Sequence, residues 1–244
     1  MKKRYYTLDY IRGFAIFNMI LFHTFWDLVY IFNYDLPWFN TSIAYIWQQC
    51  ICWTFILLSG FCYSLSSNKL KRGLIIFACG LLISIITELL IPDNHILFGV
   101  LTLIGSAMIL IIPFYKYIDK INPILGFFVS MILFLISRNV NNGYLGFESF
   151  DIYELPTFLY RNLFTSYLGF PNAGFYSSDY FSIIPWIFLF ICGIFVFKLF
   201  KSNNKLYLLE KRYNLFVEFC GQKSLLIYLL HQPIIFIILL FVAS

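Results

Sequence analysis

Charge is scarce in this chain of 244 residues: 12% are Asp, Glu, Lys or Arg, while 61% are hydrophobic and 22% aromatic. Soluble domains carry roughly twice that charge, so a water-exposed globular protein is excluded. The mean hydropathy of +0.80 agrees. The chain reads as a polytopic membrane protein, and its formal charge of +5 is to be judged by where the charges lie. Nucleic acid is not an expected partner.

Cysteine and histidine chemistry is equally thin. Cys50, Cys52, Cys62, Cys79, Cys192 and Cys220 lie in or at the ends of apolar runs, without a CxxC pair and away from the histidines. They read as small core residues, and neither a disulfide framework nor a metal site is expected. The chain lacks an internal repeat and paired broken helices in two halves, which weighs against a transporter. Lys2, Lys3 and Arg4 before an apolar run mimic a signal peptide, but no small-residue cleavage pattern follows.

Long apolar runs are what the chain does have. They fall at about 8–32, 42–65, 72–91, 96–117, 121–138, 180–200 and 221–243, each suited to a membrane crossing. The expected fold is an all-α integral membrane protein of about seven transmembrane helices, forming one domain over 1–244. A cytoplasmic N-terminus would gather Lys2, Lys3, Arg4, Lys69, Lys71, Arg72, Lys116, Lys120, Lys198, Lys201, Lys205, Lys211, Arg212 and Lys223 on one side. Arg138 and Arg161 fall on the other, and Arg12 lies within the first span. This asymmetry puts the N-terminus inside and the C-terminus outside.

The first span carries ionisable groups that a bilayer makes costly: Asp9, Arg12, His23 and Asp27. On a helix they fall within an arc of about 60° and make one stripe, with Asn18 opposite. Arg12 and His23 are roughly 16 Å apart along it, Asp9 and Asp27 roughly 27 Å. One reading is a structural Asp9–Arg12 pair at i,i+3 and a His23–Asp27 pair at i,i+4; the other is a functional path.

The second span has its own stripe, Tyr45, Gln48, Gln49, Cys52, Ser59 and Tyr63, which could face the first or serve interhelical hydrogen bonds. The third ends at Thr87 and Glu88, and the turn Pro92 to His95 leads back in, with His95 a solvated turn residue. The segment 139–179 is acidic and aromatic; within it Leu155 to Phe170 is too short to cross and reads as an interfacial or re-entrant lid. An eighth span arises if it belongs to a longer helix. In DYFSIIPW, Asp179, Ser182 and Trp186 share a face, and Pro185 would kink the first turns. In SLLIYLLHQP, Ser224, Tyr228 and His231 lie within about 60°, with His231 near mid-depth. Two intramembrane histidines with carboxylate and hydroxyl neighbours point to proton transfer.

The runs LDYIRGFAIFNMILFH, ILFGVLTLIG, DYFSIIPW and SLLIYLLHQP resemble, in that order, bacterial relatives of the heparan-α-glucosaminide N-acetyltransferase catalytic domain. The Asp, Arg and His spacing of the first helix and the pattern before His231 also look like multi-span O-acyltransferases. The chain departs from the pattern at Thr102, where relatives often have histidine. The resemblance implies a multi-pass plasma-membrane enzyme that takes an acetyl group from cytoplasmic acetyl-CoA to an extracytoplasmic sugar or amine, such as glucosamine. A homodimer is compatible with the family.

The resulting expectation gives His23, Asp27 and His231 the catalytic roles, with Asp27 making His23 a base. Asp9, Arg12, Gln48, Ser224 and Tyr228 would serve the donor, while Glu88, Asp179 and Trp186 would serve the acceptor. His231, Tyr228 or Ser224 would stabilise an oxyanion or act as the alternative base. Direct transfer and an acetyl-histidine intermediate both remain open, as do amine and hydroxyl acceptors. A proton-coupled permease and a non-catalytic acyl-CoA binder are the alternatives.

Overall fold

The computed structural model describes residues 4–242, so Lys2 and Lys3 of the basic N-terminus and Ala243 of the last run lie outside the described residues. Its helices are α1 (Tyr6–Tyr30), α2 (Ser42–Tyr63), α3 (Lys69–Leu90), α4 (Val100–Leu110), α5 (Tyr115–Ile118), α6 (Pro123–Ile136), α7 (Leu163–Leu168), α8 (Ile183–Ser202), α9 (Leu215–Gln222) and α10 (Ser224–Val242). A hairpin of β1 (Tyr144–Phe147) and β2 (Phe150–Glu154) lies between α6 and α7.

Five of these helices, α1, α2, α3, α8 and α10, are long and apolar enough to cross a membrane. The expected spans at 96–117 and 121–138 differ: their helices α4 and α6 have 11 and 14 residues. At about 1.5 Å per residue they reach roughly 16 and 21 Å, short of a hydrocarbon core of about 30 Å. Local chemistry sets these lengths. Before α4, Phe98 takes φ of 58° and Gly99 is extended; after it, Pro113 lies in a turn and has no N–H with which to continue the helix. The start of α6 is fixed by Pro123 in its first turn and by Asn122, whose side chain accepts from the Ile124 and Leu125 amides.

The long segment after α6 is more ordered than its composition suggests. Asn139 donates to the Glu148 carbonyl and the Asp151 carboxylate, both at 2.8 Å, and so pins the hairpin to the end of α6. Within Leu155 to Phe170 the chain makes a short 3-10 turn at Thr157–Leu159 and the six-residue α7. The eighth span is therefore overturned: a capping box between Asn162 and Thr165 starts α7 and Gly169, with φ of 132°, ends it.

The chain divides into two compact units, 1–58 with 201–244, and 59–200. In the first, α1 is the central helix, packed on α9 and α10. A Cβ on Gly13 would lie 2.0 Å from the Val217 carbonyl oxygen, and one on Gly221 would lie 1.8 Å from that of Asp9. Only glycine admits so close a backbone approach. The part of α2 up to Leu58 covers another side of α1, where Ile16, Met19, Phe22, Ala44 and Ile51 form a buried cluster.

In the second unit α3 packs closely on α4, where Gly105 meets the Phe77 backbone. Leu189, Phe190 and Ile194 of α8 are fully buried. The kink expected at Pro185 is present: Ile184, at φ −94° and ψ 128°, is non-helical, as a residue preceding proline tends to be.

Candidate functional site

The stripe on α1 forms as its periodicity requires, and all of it meets α9 and α10. At the N-terminal end, Asp9 accepts from Arg4 at 3.0 Å and from Arg12 at 3.1 Å. Arg12 also donates to the Gly221 carbonyl at 3.3 Å. Two guanidiniums thus share one carboxylate, leaving this corner with net positive charge.

Three turns further along, His23 meets His231 of α10, with ring centroids 4.9 Å apart. The Nδ1 of His231 lies 2.6 Å from the Tyr228 carbonyl oxygen. A carbonyl only accepts, so Nδ1 carries the proton and the lone pair of the neutral ring sits on Nε2. This Nε2 is buried without a hydrogen-bond partner.

One more turn along α1, Asp27 is completely buried. The expected His23–Asp27 pair is corrected here. Asp27 Oδ1 accepts instead from Gln232 Nε2 at 2.6 Å, because α10 brings an amide donor directly onto the carboxylate. The partners left over are Asp27 Oδ2, Gln232 Oε1 and His231 Nε2, all buried and unpartnered. Each is an acceptor, so two consecutive residues of α10 and one of α1 present lone pairs with no donor to meet them.

Gln232 was not assigned a role from the sequence, although it adjoins His231 in an apolar run where an amide is conspicuous. Gly13 and Gly221, which set the approach of α1 and α9, were also missed; their signal was two small residues on apolar helix faces.

Other expected residues fall elsewhere. Tyr228 contributes its carbonyl to His231, while Ser224 is the half-buried first residue of α10. Gln48 is half-buried on α2. On the Asn18 side of α1, Trp47 Nε1 of α2 donates to the Asn18 side-chain oxygen at 3.0 Å.

In the second unit, the Asp179 carboxylate accepts the Val100 amide, and burial pushes it up to about 6. It therefore completes the N-terminus of α4, whose cap Gly99 has no side chain to offer. Trp186 is buried between Phe134 and Phe181, with Arg138 4.8 Å over its ring. Glu88 is exposed and lies 3.7 Å from His95. His95 is more than a solvated turn residue, because its two ring nitrogens contact the Pro92 and Tyr176 carbonyls at 2.7 and 3.0 Å. Thr102 is buried in α4 with its hydroxyl unpartnered.

Among the described residues no group of three His, Cys, Asp or Glu side chains is placed to hold a metal ion, and the six cysteines are free. No curated protein and no solved structure matches the chain. The model of the family described as heparan-alpha-glucosaminide N-acetyltransferase, catalytic, matches residues 4–233, from the Arg4–Asp9–Arg12 corner through His231 and Gln232, and the chain belongs to that family.

Proposed function

We propose that this membrane protein is an acetyltransferase that moves an acetyl group from cytoplasmic acetyl-CoA to the amine or hydroxyl of a glucosamine-type acceptor on the far side of the plasma membrane. The observation that supports it is the set of three buried, unpartnered acceptors, His231 Nε2, Asp27 Oδ2 and Gln232 Oε1. An acceptor sugar brings N–H and O–H groups, the complement that these lone pairs lack. Leaving them unmet costs on the order of 1–3 kcal/mol each, which the bound ligand recovers.

The residues divide the work along α1. The Arg4–Asp9–Arg12 corner, with two cations on one carboxylate, suits the phosphates of the donor. Roughly 16 Å further along the helix stands the histidine pair. His231 Nε2 takes the proton from the attacking amine or hydroxyl, and its Nδ1–H on the Tyr228 carbonyl stabilises the ring as it becomes cationic. His23, in ring contact with His231, flanks the same point. Asp27 and Gln232 hold the acceptor by its remaining donors.

The donor supplies the acetyl thioester. A bond forms between the acceptor nitrogen or oxygen and the acetyl carbon while the carbon–sulfur bond breaks. The proton held by His231 leaves with the departing thiolate, so the histidine returns to its starting form. The direct test is CoA release from acetyl-CoA by the purified protein in nanodiscs, with and without amino sugars. Acceptor-dependent release supports the reading; tight donor binding without release under any acceptor, or no binding, removes it.

A further inference from the structure

Beside His231 a cavity of about 330 Å³ opens between α1 and α10, at the lower end of the roughly 300–1,000 Å³ typical of small-molecule sites. Ile20 and Thr24 line it from α1, and Leu230, His231, Ile234 and Ile235 from α10. Thr24 turns its hydroxyl back to the Ile20 carbonyl at 2.8 Å and so spends its polarity locally. His231 is 92% buried by its 8% exposure, and its Nε2 has no partner. The cavity thus combines hydrocarbon walls with one imidazole, that of the proposed catalytic group.

A free sugar ring does not suit those walls, because each hydroxyl placed against them would lose its hydrogen bonds. A hydrocarbon chain does. The rim residues Leu230 and Ile234 are 47% and 50% exposed on a helix long and apolar enough to cross the bilayer, so the groove opens sideways toward lipid. A chain arriving there comes from within the membrane, whereas a nucleotide-borne donor comes from water. Lipid tails are as apolar as leucine, so the groove selects by shape and by the attached head, not by hydrophobicity alone.

Resting on the acetyltransferase reading, we infer that the acceptor is a membrane-borne amphiphile: its hydrocarbon tail lies in the groove between α1 and α10, and its amino-sugar or hydroxyl head meets His231 Nε2. The enzyme is then a modifier of lipid-linked sugars, and the reaction that supplies its substrate is one that attaches a sugar to a lipid carrier.

The test compares glucosamine with butyl, octyl and dodecyl glucosaminides as acceptors, reading CoA release in nanodiscs for the wild type, Leu230→Trp and Ile234→Trp. Tail partition into the bilayer is common to all three proteins, so a change in the octyl-to-free rate ratio between them reads the groove. The expected result is a wild-type ratio of at least about tenfold that falls about fivefold or more in both variants, each remaining monodisperse. A ratio that is the same in all three proteins overturns the inference and leaves the acetyltransferase standing. So does a shift of the chain preference to the donor, seen as faster turnover of octanoyl-CoA with free glucosamine. A loss of dimer in the variants without a change in ratio overturns it too, and gives the face to a second copy of the chain. No CoA release with any acceptor removes the acetyltransferase reading itself.

Discussion

The Nδ1–H of His231 donates to the carbonyl of Tyr228, one turn earlier on the same helix, at 2.6 Å. That bond fixes the ring's tautomer and orientation together, leaving Nε2 as the basic nitrogen. Nitrogen-15 spectra of histidine-labelled protein are expected to show one ring protonated at Nδ1 and bare at Nε2. If His231→Asn removes no such signal, the assignment of the lone pair fails.

Asp27 and Gln232 form an interhelical hydrogen bond at 2.6 Å inside the first unit. Removing the amide by Gln232→Ala leaves both carboxylate oxygens without a donor. The expected cost is about 1–3 kcal/mol, read as a lower apparent melting temperature in detergent. The double variant Asp27→Leu, Gln232→Leu is expected to recover much of that loss, because two apolar groups replace an orphaned polar one. Equal stability of Gln232→Ala and wild type would mean that the bond does not hold α1 to α10.

Gly13 and Gly221 are expected to be intolerant of even one methyl group. Their added Cβ atoms would sit 2.0 and 1.8 Å from backbone oxygens of Val217 and Asp9, which no rotamer change can relieve. Gly13→Ala and Gly221→Ala should each lose most of their monodisperse yield. Normal yield of the two would contradict the close packing of α1 and α9.

Asp179 sets a pH dependence on stability. Burial raises its carboxyl from the usual 3.8 to about 6 in the folded chain, so the folded state binds the proton more tightly than the unfolded one. Its contribution is fully present below about 4 and is lost as pH rises through about 6. Apparent melting temperature should therefore fall between pH 5 and pH 7. Asp179→Asn, which can still accept the Val100 amide, should flatten that slope and be more stable than wild type at pH 7 by up to about 2 kcal/mol. A slope unchanged by this substitution would sink the explanation.

Much of the molecule was legible in the residues, for definable reasons. The stripe of Asp9, Arg12, His23 and Asp27 follows from helical period alone, and the Asp9–Arg12 pair at i,i+3 is local. The partner surface was not legible, because the packing of α9 and α10 on α1 depends on tertiary contacts through Gly13 and Gly221. The same holds for Asp27: spacing made His23 its natural neighbour, but a better donor, Gln232, arrives from 205 positions away. Hydropathy located the runs of α4 and α6 yet overstated their length, since apolarity does not reveal the turn at Phe98 or the break near Pro113. Likewise the apolar, aromatic stretch Leu155 to Phe170 read as an interfacial or re-entrant lid, while the cap at Asn162 and the turn at Gly169 decide its actual form.

The measurement that reaches the central claim most directly is acceptor-dependent CoA release by wild type and His231→Asn in nanodiscs. Asparagine retains an N–H to donate to the Tyr228 carbonyl but has no basic nitrogen in place of Nε2. Preserved folding and donor binding with turnover reduced about 10²- to 10⁴-fold is the expected result. Turnover in His231→Asn equal to that of wild type would contradict the account, because the proton would then be taken by another group.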